Sequence, residues 1–406
     1  MPDMINVNIP NINQQSIIKV IGVGGGGSNA VNHMYQEGIK DVSFLVCNTD
    51  YQDLQRSPVP CKLQLGINTT KGLGCGANPE IGKKAAEESA DEIRRILETG
   101  NTKMVFITAG MGGGTGTGGA PVIASIAHDL GILTVGIVTI PFKFEMGKKI
   151  AKAMLGVAEM RKHVDALLVI NNERLIELYK DFSLANAFKE ADNILTEAAK
   201  GIAEIITVQG YMNVDFADAN TILKDGGVAI MNTGMAEGEN RVIKALQKAL
   251  ASPLLKCNDV RGAKRILINI YTSNTNEVII KEIDELKAFL NGINENLEEF
   301  IWGATYDDNL EETIKVTIIA TGFELDDITG HIKDETKKDE PNIEFDDKIR
   351  GMVDKYYGEK DGKSEAQPSI INPFEEEDNQ EEEVIDFGSW ADDEDLEIPA
   401  YKRNKK

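Results

Sequence analysis

Little in this chain of 406 residues suits a disulfide frame, a metal centre, a membrane span or a nucleic-acid groove. The four cysteines (Cys47, Cys61, Cys75, Cys257) are scattered and form no Cys-x-x-Cys pair. They read as reduced thiols of a cytoplasmic protein, not as bridges or zinc ligands. The four histidines are equally dispersed, so no metal site is predicted. No run approaches the ~18 consecutive apolar residues of a membrane span. Residues 1–15 are polar and asparagine-rich with no basic block before an apolar one, which predicts a flexible extension and no signal peptide. Basic residues are scarce, 43 Lys and Arg against 66 Asp and Glu, for a net charge of −23. Nucleic acid demands a basic footprint, so none is expected as partner. No segment fits G-x-x-x-x-G-K-[ST], which excludes a P-loop NTPase.

Glycine, by contrast, is concentrated where it can act. The run Ala109 to Gly119, AGMGGGTGTGG, follows an apolar strand-like stretch, Met104–Thr108, and precedes a helix-like one, Pro121–Ala127. Strand, glycine loop and helix start is the order that turns backbone N–H groups and a positive helix end onto a phosphate. Glycine lets the backbone approach an oxyanion with no Cβ in the way.

A second such loop comes earlier. The strand Ser16–Ile21 runs into Gly22-Val23-Gly24-Gly25-Gly26-Gly27-Ser28-Asn29, with a helix expected from about Ser28. Gly22, Gly24 and Gly27 also satisfy G-x-G-x-x-G, and Asp50 ends the second strand, Val42–Cys47, where a ribose-binding acid belongs. A nicotinamide-dependent oxidoreductase is therefore one reading, although that fold does not require the larger loop at Gly110–Gly119. A third glycine loop, Lys71–Pro79, leads into an amphipathic helix over 80–98. Further strands are predicted at 133–140 and 166–170.

Strands alternating with helices imply a parallel sheet covered on both faces. Ligands bind at the carboxyl ends of such strands, and three glycine loops on one rim make a mononucleotide site. The fold class is thus α/β, with a nucleotide-binding domain over 16–183. Residues 184–209 read as one long helix, apolar on most sides and hence buried between two domains. A loop with two acids and an amide follows it, so 184–217 forms a central helix and loop unit. From 218 to 323 the pattern suggests a smaller α+β domain. Its strands are expected at 227–231, 265–271, 299–305 and 314–321, and its helices at 240–250 and 276–290.

Charge then changes abruptly. From Glu324 to Glu397 there are 27 acidic and 8 basic residues, whereas the last nine carry four basic and no acidic groups. Residues 1–323 keep a net charge of only −8. Residues 324–395 are predicted to be a disordered acidic linker, because like-charge runs cannot bury enough apolar surface to offset chain entropy. An apolar, cationic peptide, 396–406, ends the chain.

The run Gly112–Gly118, GGGTGTG, matches the signature of the tubulin superfamily, and most of residues 16–323 resembles the tubulin/FtsZ family of bacterial cell-division GTPases. The resemblance implies GTP and GDP as ligands, with Mg²⁺ bound through their phosphates. It places Gly25, Gly26, Gly27, Ser28 and Asn29 on one phosphate loop, Gly72, Gly74 and Gly76 near the γ-phosphate, and Gly114, Thr115 and Gly116 at the helix start. Glu145 and the basic Lys149 would handle the ribose, Phe188 would stack on guanine, and Asp192 would accept its N1–H and N2–H. Two positions depart from the family pattern: Met146 stands where glycine is usual and Lys149 where arginine is usual. A shifted loop and weaker ribose contacts are expected, since lysine lacks the planar fork.

The resemblance also implies hydrolysis by Asn213, Asp215 and Asp218 of one subunit acting on the nucleotide of the next, in filaments stacked head to tail at the mid-cell division ring. Helix capping is the structural alternative for the two acids. Leu396, Ile398, Pro399, Tyr401 and Arg403 resemble the family's C-terminal peptide. That peptide docks on membrane-attached division proteins of the actin-like FtsA type, without direct membrane insertion. A nucleotide-binding regulator that neither polymerises nor hydrolyses is the remaining alternative.

Overall fold

The computed structural model describes residues 16–39, 41–145, 147–173, 175, 183–208, 210–251, 262–293 and 297–323. The N-terminal extension, Met146, Cys257, the acidic linker and the C-terminal peptide lie outside them.

In chain order the elements are β1 (Ile18–Val23), α1 (Gly24–Gln36), β2 (Val42–Asn48), α2 (Tyr51–Arg56), β3 (Lys62–Gln64), α3 (Ile67–Thr70), α4 (Pro79–Glu88), α5 (Ala90–Glu98), β4 (Met104–Gly110), α6 (Thr115–Asp129), β5 (Leu133–Ile140), α7 (Gly147–Met160) and β6 (Ala166–Asn171). The long α8 (Leu184–Thr207) and the short α9 (Phe216–Leu223) come next. The rest are β7 (Gly227–Val228), β8 (Ile230–Ala236), α10 (Arg241–Leu250), β9 (Arg265–Thr272), α11 (Ile280–Ile293), β10 (Glu299–Tyr306) and β11 (Ile314–Thr321).

Seven strands form a parallel sheet in the order β3-β2-β1-β4-β5-β6-β7. The order reverses between β1 and β4, which opens a crevice at their carboxyl ends. Both long glycine loops leave from that point. The sheet is apolar on both faces, as a doubly covered parallel sheet must be. One face packs Ile21, Val105 and Ile107 under α4 to α7. The other packs Val20, Phe106 and Val135 under α1 and α8. That second core extends through Leu195, Ala199 and Ile202 of α8 to Leu267 and Ile319 of the next sheet. The long helix is thus buried between the two domains, as its all-round apolar sequence predicts.

The second domain is a mixed sheet, β10-β9-β11-β8, with β10 parallel to β9 and the other pairs antiparallel. Its own core, Val242, Leu246, Ile268 and Leu286 among others, lies under α10 and α11.

Four local differences from the sequence reading have physical causes. The helices after the two glycine loops start earlier, at Gly24 and Thr115, so several glycines read as loop belong to first turns. They are there for close packing: a Cβ on Gly27 would sit 2.2 Å from the Thr108 carbonyl oxygen, and one on Gly118 would sit 1.9 Å from that of Pro79. The helix over 80–98 breaks at Ser89, whose hydroxyl accepts the Gly66 N–H at 3.1 Å. The run 227–231 is shared between domains: Gly227–Val228 joins β6 at the edge of the first sheet, and β8 starts the second. The short β3 carries too few residues for a period to show, and was not foreseen.

Candidate nucleotide site and the distal acidic loop

At the switch point lies a cavity of about 320 Å³. Its floor is backbone from both glycine loops, Gly25 and Gly26 on one side and Gly113 to Gly116 on the other, with the Asn29 side chain of α1 beside them. The N-terminus of α6 points its unpaired N–H groups and positive dipole end into this space. The second loop is held in shape by Thr117, whose hydroxyl accepts the Gly112 N–H at 2.8 Å.

The residues expected on the first loop do not all reach the cavity. Gly25, Gly26 and Asn29 line it, whereas Gly27 packs on β4 and Ser28 is buried with its hydroxyl unpartnered. Gly72, Gly74 and Gly76 are not among the residues lining it. All three have positive φ, of 76°, 78° and 54°. Their loop is tied to the end of β2 by Tyr51 N–H to Gly72 O at 3.1 Å and Gly74 N–H to Thr49 O at 3.3 Å. It packs directly on the second glycine loop, since a Cβ on Gly114 would lie 2.5 Å from that of Cys75. Thr49 and Thr115 join their hydroxyls at 2.6 Å beneath it.

The far wall is ionic and aromatic. Glu145 and Lys149 both line the cavity and form an ion pair, and Glu145 also accepts the Phe142 N–H at 3.0 Å. Phe188, on the first turns of α8, meets Phe142 edge to face at 5.1 Å. One turn later Asp192 turns into the same cavity, and burial pushes its carboxyl up to about 7. A carboxyl desolvated there, with no ion pair to a cation among the described residues, is poised for a ligand that brings hydrogen-bond donors.

Asn172 was not singled out in the sequence. It is buried on the cavity wall, and among the described residues its Oδ1 has no hydrogen-bond partner. Its place just past the end of β6, on the ligand-binding rim, is the signal that could have found it.

Asn213, Asp215 and Asp218 lie elsewhere, beyond the C-terminal end of α8. Asn213 accepts the Gly210 N–H at 2.6 Å. Asp215 caps α9 by accepting the Asp218 N–H at 2.9 Å, and Asp218 accepts the Asp215 N–H at 3.1 Å. This reciprocal box uses one oxygen of each carboxylate. Among the described residues the second oxygens are not hydrogen-bonded. From Asp192 to Thr207 the helix rises about 22 Å at ~1.5 Å per residue. The acidic loop thus follows the opposite end of α8 from Asp192, and none of its residues lines the cavity.

No group of three or more His, Cys, Asp or Glu among the described residues could hold a metal ion. Nor is any described helix long and apolar enough to cross a membrane.

Comparison with known proteins agrees with this architecture. The family model for the Tubulin/FtsZ family, GTPase domain, matches residues 17–180, and that for the FtsZ family, C-terminal domain, matches residues 227–324. The Cell division protein FtsZ of Porphyromonas gingivalis is 55% identical over 327 residues, 80% of this chain and 71% of that protein. Its counterpart from Buchnera aphidicola is 47% identical over 313 residues, 77% of this chain and 80% of that protein. Among solved structures, an empty FtsZ dimer of M. jannaschii superposes with a TM-score of 0.69 at 42% identity, covering 75% of this chain and 88% of that one.

The oxidoreductase reading finds no support. Gly22 lies within β1, paired with Val46 and Thr108, and the Asp50 carboxylate is engaged as the cap of α2, accepting from Gln52 and Asp53 at 2.9 and 3.1 Å. With its parallel sheet, buried central helix and second mixed-sheet domain, the chain belongs to the tubulin/FtsZ family of GTPases.

Proposed function

We propose that this protein hydrolyses GTP at a site completed only when subunits stack head to tail, the acidic loop of one closing on the nucleotide of the next. It is a tubulin-like GTPase of cell division that assembles into filaments. The observation that carries the shared site is the separation along α8: Asp192 lines the cavity near its start, and Asp215 follows its far end. Exposed apolar side chains at both ends support stacking. Tyr211 is 80% exposed beside the acidic loop, and Leu73 is 83% exposed on the loop behind the phosphates.

In this reading the N–H groups of Gly25, Gly26 and Gly114–Gly116 hold phosphate oxygens, each charge–dipole contact contributing roughly 0.3–2 kcal/mol. Gly27 and Ser28 belong to the same phosphate loop, and Gly72, Gly74 and Gly76 form a further loop near the γ-phosphate. Glu145 and Lys149 face the ribose. Phe188 stacks on the base and Asp192 accepts from guanine N1–H and N2–H. Adenine offers an acceptor at N1, so the ionised carboxylate rejects it. Asn172 offers its unpaired Oδ1 to the same ligand.

Mg²⁺ would be held by the nucleotide phosphates and neutralise their charge. Asp215 and Asp218 of the neighbouring subunit orient and polarise the attacking water through the oxygens left free by the cap, with Asn213 beside them. Catalytic carboxylates that cap each other are pre-positioned, so the capping role and the hydrolytic role coexist.

The cationic terminal peptide, with Leu396, Ile398, Pro399, Tyr401 and Arg403, would tether filaments at the mid-cell ring to a membrane-attached partner of the FtsA type. Four basic residues without a large apolar face make a weak membrane binder alone.

Mixing variants tests the shared site. Asp215→Asn and Gly114→Ser are each expected to hydrolyse poorly, while their mixture regains phosphate release at junctions that pair two intact halves. Full-rate hydrolysis by monomer held below its assembly concentration would overturn the reading.

A further inference from the structure

The helix that starts at the phosphate loop, α1, packs along the helix that carries Phe188 and Asp192, α8. A polar contact joins them within a seam that also holds apolar residues of both helices. His33 Nδ1 lies 3.0 Å from Thr196 Oγ1. Thr196 is buried, and its hydroxyl donates to the Asp192 carbonyl oxygen at 2.8 Å. A hydroxyl has a single hydrogen, so towards His33 it must accept, and Nδ1 is the protonated nitrogen. The other ring nitrogen faces Glu37, 3.9 Å away on the same helix. A directed chain thus runs from His33 N–H to the Thr196 hydroxyl and on to the peptide of Asp192, whose side chain lines the cavity.

We propose that His33 is a positioning residue for base recognition: through Thr196 it fixes Asp192 relative to the phosphate loop that its own helix carries. This rests on the reading of Asp192 as the guanine acceptor. A bound nucleotide touches both helices at once, with phosphates at the start of α1 and base against α8. Hydrogen bonds weaken steeply with misalignment, so the paired bonds to guanine depend on the register between the two helices. Ala30, Val31 and Met34 of α1 and Leu195, Ala199 and Ile202 of α8 belong to one buried cluster, whose attraction is non-directional, so a directed hydrogen bond adds to the register that packing sets. The same packing keeps the helices together when the relay is cut, so relay variants are expected to fold.

The test uses four variants of the full chain, with nucleotide binding measured on monomer below the assembly concentration. His33→Gln carries its amide beyond the Nδ1 position, and Thr196→Val removes the hydroxyl at nearly constant shape. Both should lower the preference for GTP over ATP by about three- to tenfold, the weight of one net hydrogen bond, with ATP affinity unchanged. His33→Asn, which puts an amide N–H near the Nδ1 position, and Thr196→Ser should keep the wild-type preference. The double variant His33→Gln/Thr196→Val should lose no more than either single one, because both cut one chain.

A wild-type preference in His33→Gln and Thr196→Val would overturn the proposal. So would equal losses for GTP and ATP, which would signify general loosening. Asp192→Ala, measured alongside, separates the two layers. If it lowers the preference while the relay variants do not, the relay alone fails. If it leaves the preference unchanged, the reading of Asp192 fails and the relay with it.

Discussion

The two ends of α8 hold acids in opposite circumstances. Near its start, Asp192 is desolvated on a cavity wall, with its carboxyl pushed up to about 7. Past its far end, Asp215 is exposed and Asp218 half-buried, and the two cap each other's backbone. A group that must select a ligand is placed where water is excluded, because desolvation makes each missing hydrogen bond costly. On the proposed function, a group that acts on a nucleotide held by another molecule stays at the surface until that molecule arrives. On the same proposal, the difference between the binding acid and the hydrolytic acids is which partner completes the burial.

The largest effect should come from the exposed end. Asp215→Asn removes the charge but not the shape. It is expected to slow phosphate release by about 10²–10⁴-fold, the usual weight of a positioned acid or base. Nucleotide affinity and assembly should persist, so polymers become longer-lived. Phosphate release measured against sedimentation separates the two. If hydrolysis in the variant keeps pace with wild type, the comparison between the ends breaks. At the buried end, the proposed function has Asp192→Ala lose two charge-assisted hydrogen bonds to guanine, each worth about 1.5–3 kcal/mol. Competition of GTP with ATP should show the preference falling by at least tenfold, with ATP binding little changed.

How much of this was legible beforehand follows the same division. The parallel sheet, the buried helix and the mononucleotide rim were readable because they are built from repeated signals: apolar runs, glycine clusters and their order. The first turns of α1 and α6 were misplaced because glycine reads as loop until the neighbour that excludes a Cβ is known, as the Thr108 and Pro79 carbonyls do here. The split of 227–231 between sheets was invisible because both halves are equally strand-like, and only pairing with β6 distinguishes them. Asn172 lacked any local pattern, since its importance is an unpaired oxygen facing a cavity that other segments enclose. Asn213, Asp215 and Asp218 came from family resemblance. Their spacing alone suits a capping box equally well, and the structure contains one.

A smaller effect separates the two ends by pH. Asp192 binds its proton more tightly folded than unfolded, so the empty protein loses stability as pH rises from the ordinary carboxylate range through about 7. Guanine's donors favour the ionised form, so GTP affinity should fall as pH drops below about 7, by up to ~10-fold per unit. Isothermal titration of GTP between pH 8 and pH 6 should reveal this slope in the wild type. Asp192→Ala should lack it, retaining only what the nucleotide phosphates contribute by their own titration. An identical slope in both proteins would remove the carboxyl from the binding equilibrium.

The smallest effect sharpens the comparison by separating what the exposed acids do for the fold from what they do for chemistry. Asparagine caps a helix about as well as aspartate, whereas alanine cannot accept the N–H and costs roughly 1 kcal/mol. Asp215 accepts the Asp218 N–H with one oxygen, a bond that an asparagine Oδ1 can replace. Asp215→Asn should therefore unfold at the wild-type denaturant midpoint, while Asp215→Ala shifts it by the loss of one cap. Both should be equally poor at phosphate release, because both lack the second anionic oxygen. Denaturant unfolding of the two variants, set beside their hydrolysis rates, makes the distinction. A rate that follows stability, higher in the asparagine variant and lower in the alanine one, would reduce Asp215 to a cap and leave the hydrolytic group at the exposed end to be sought elsewhere.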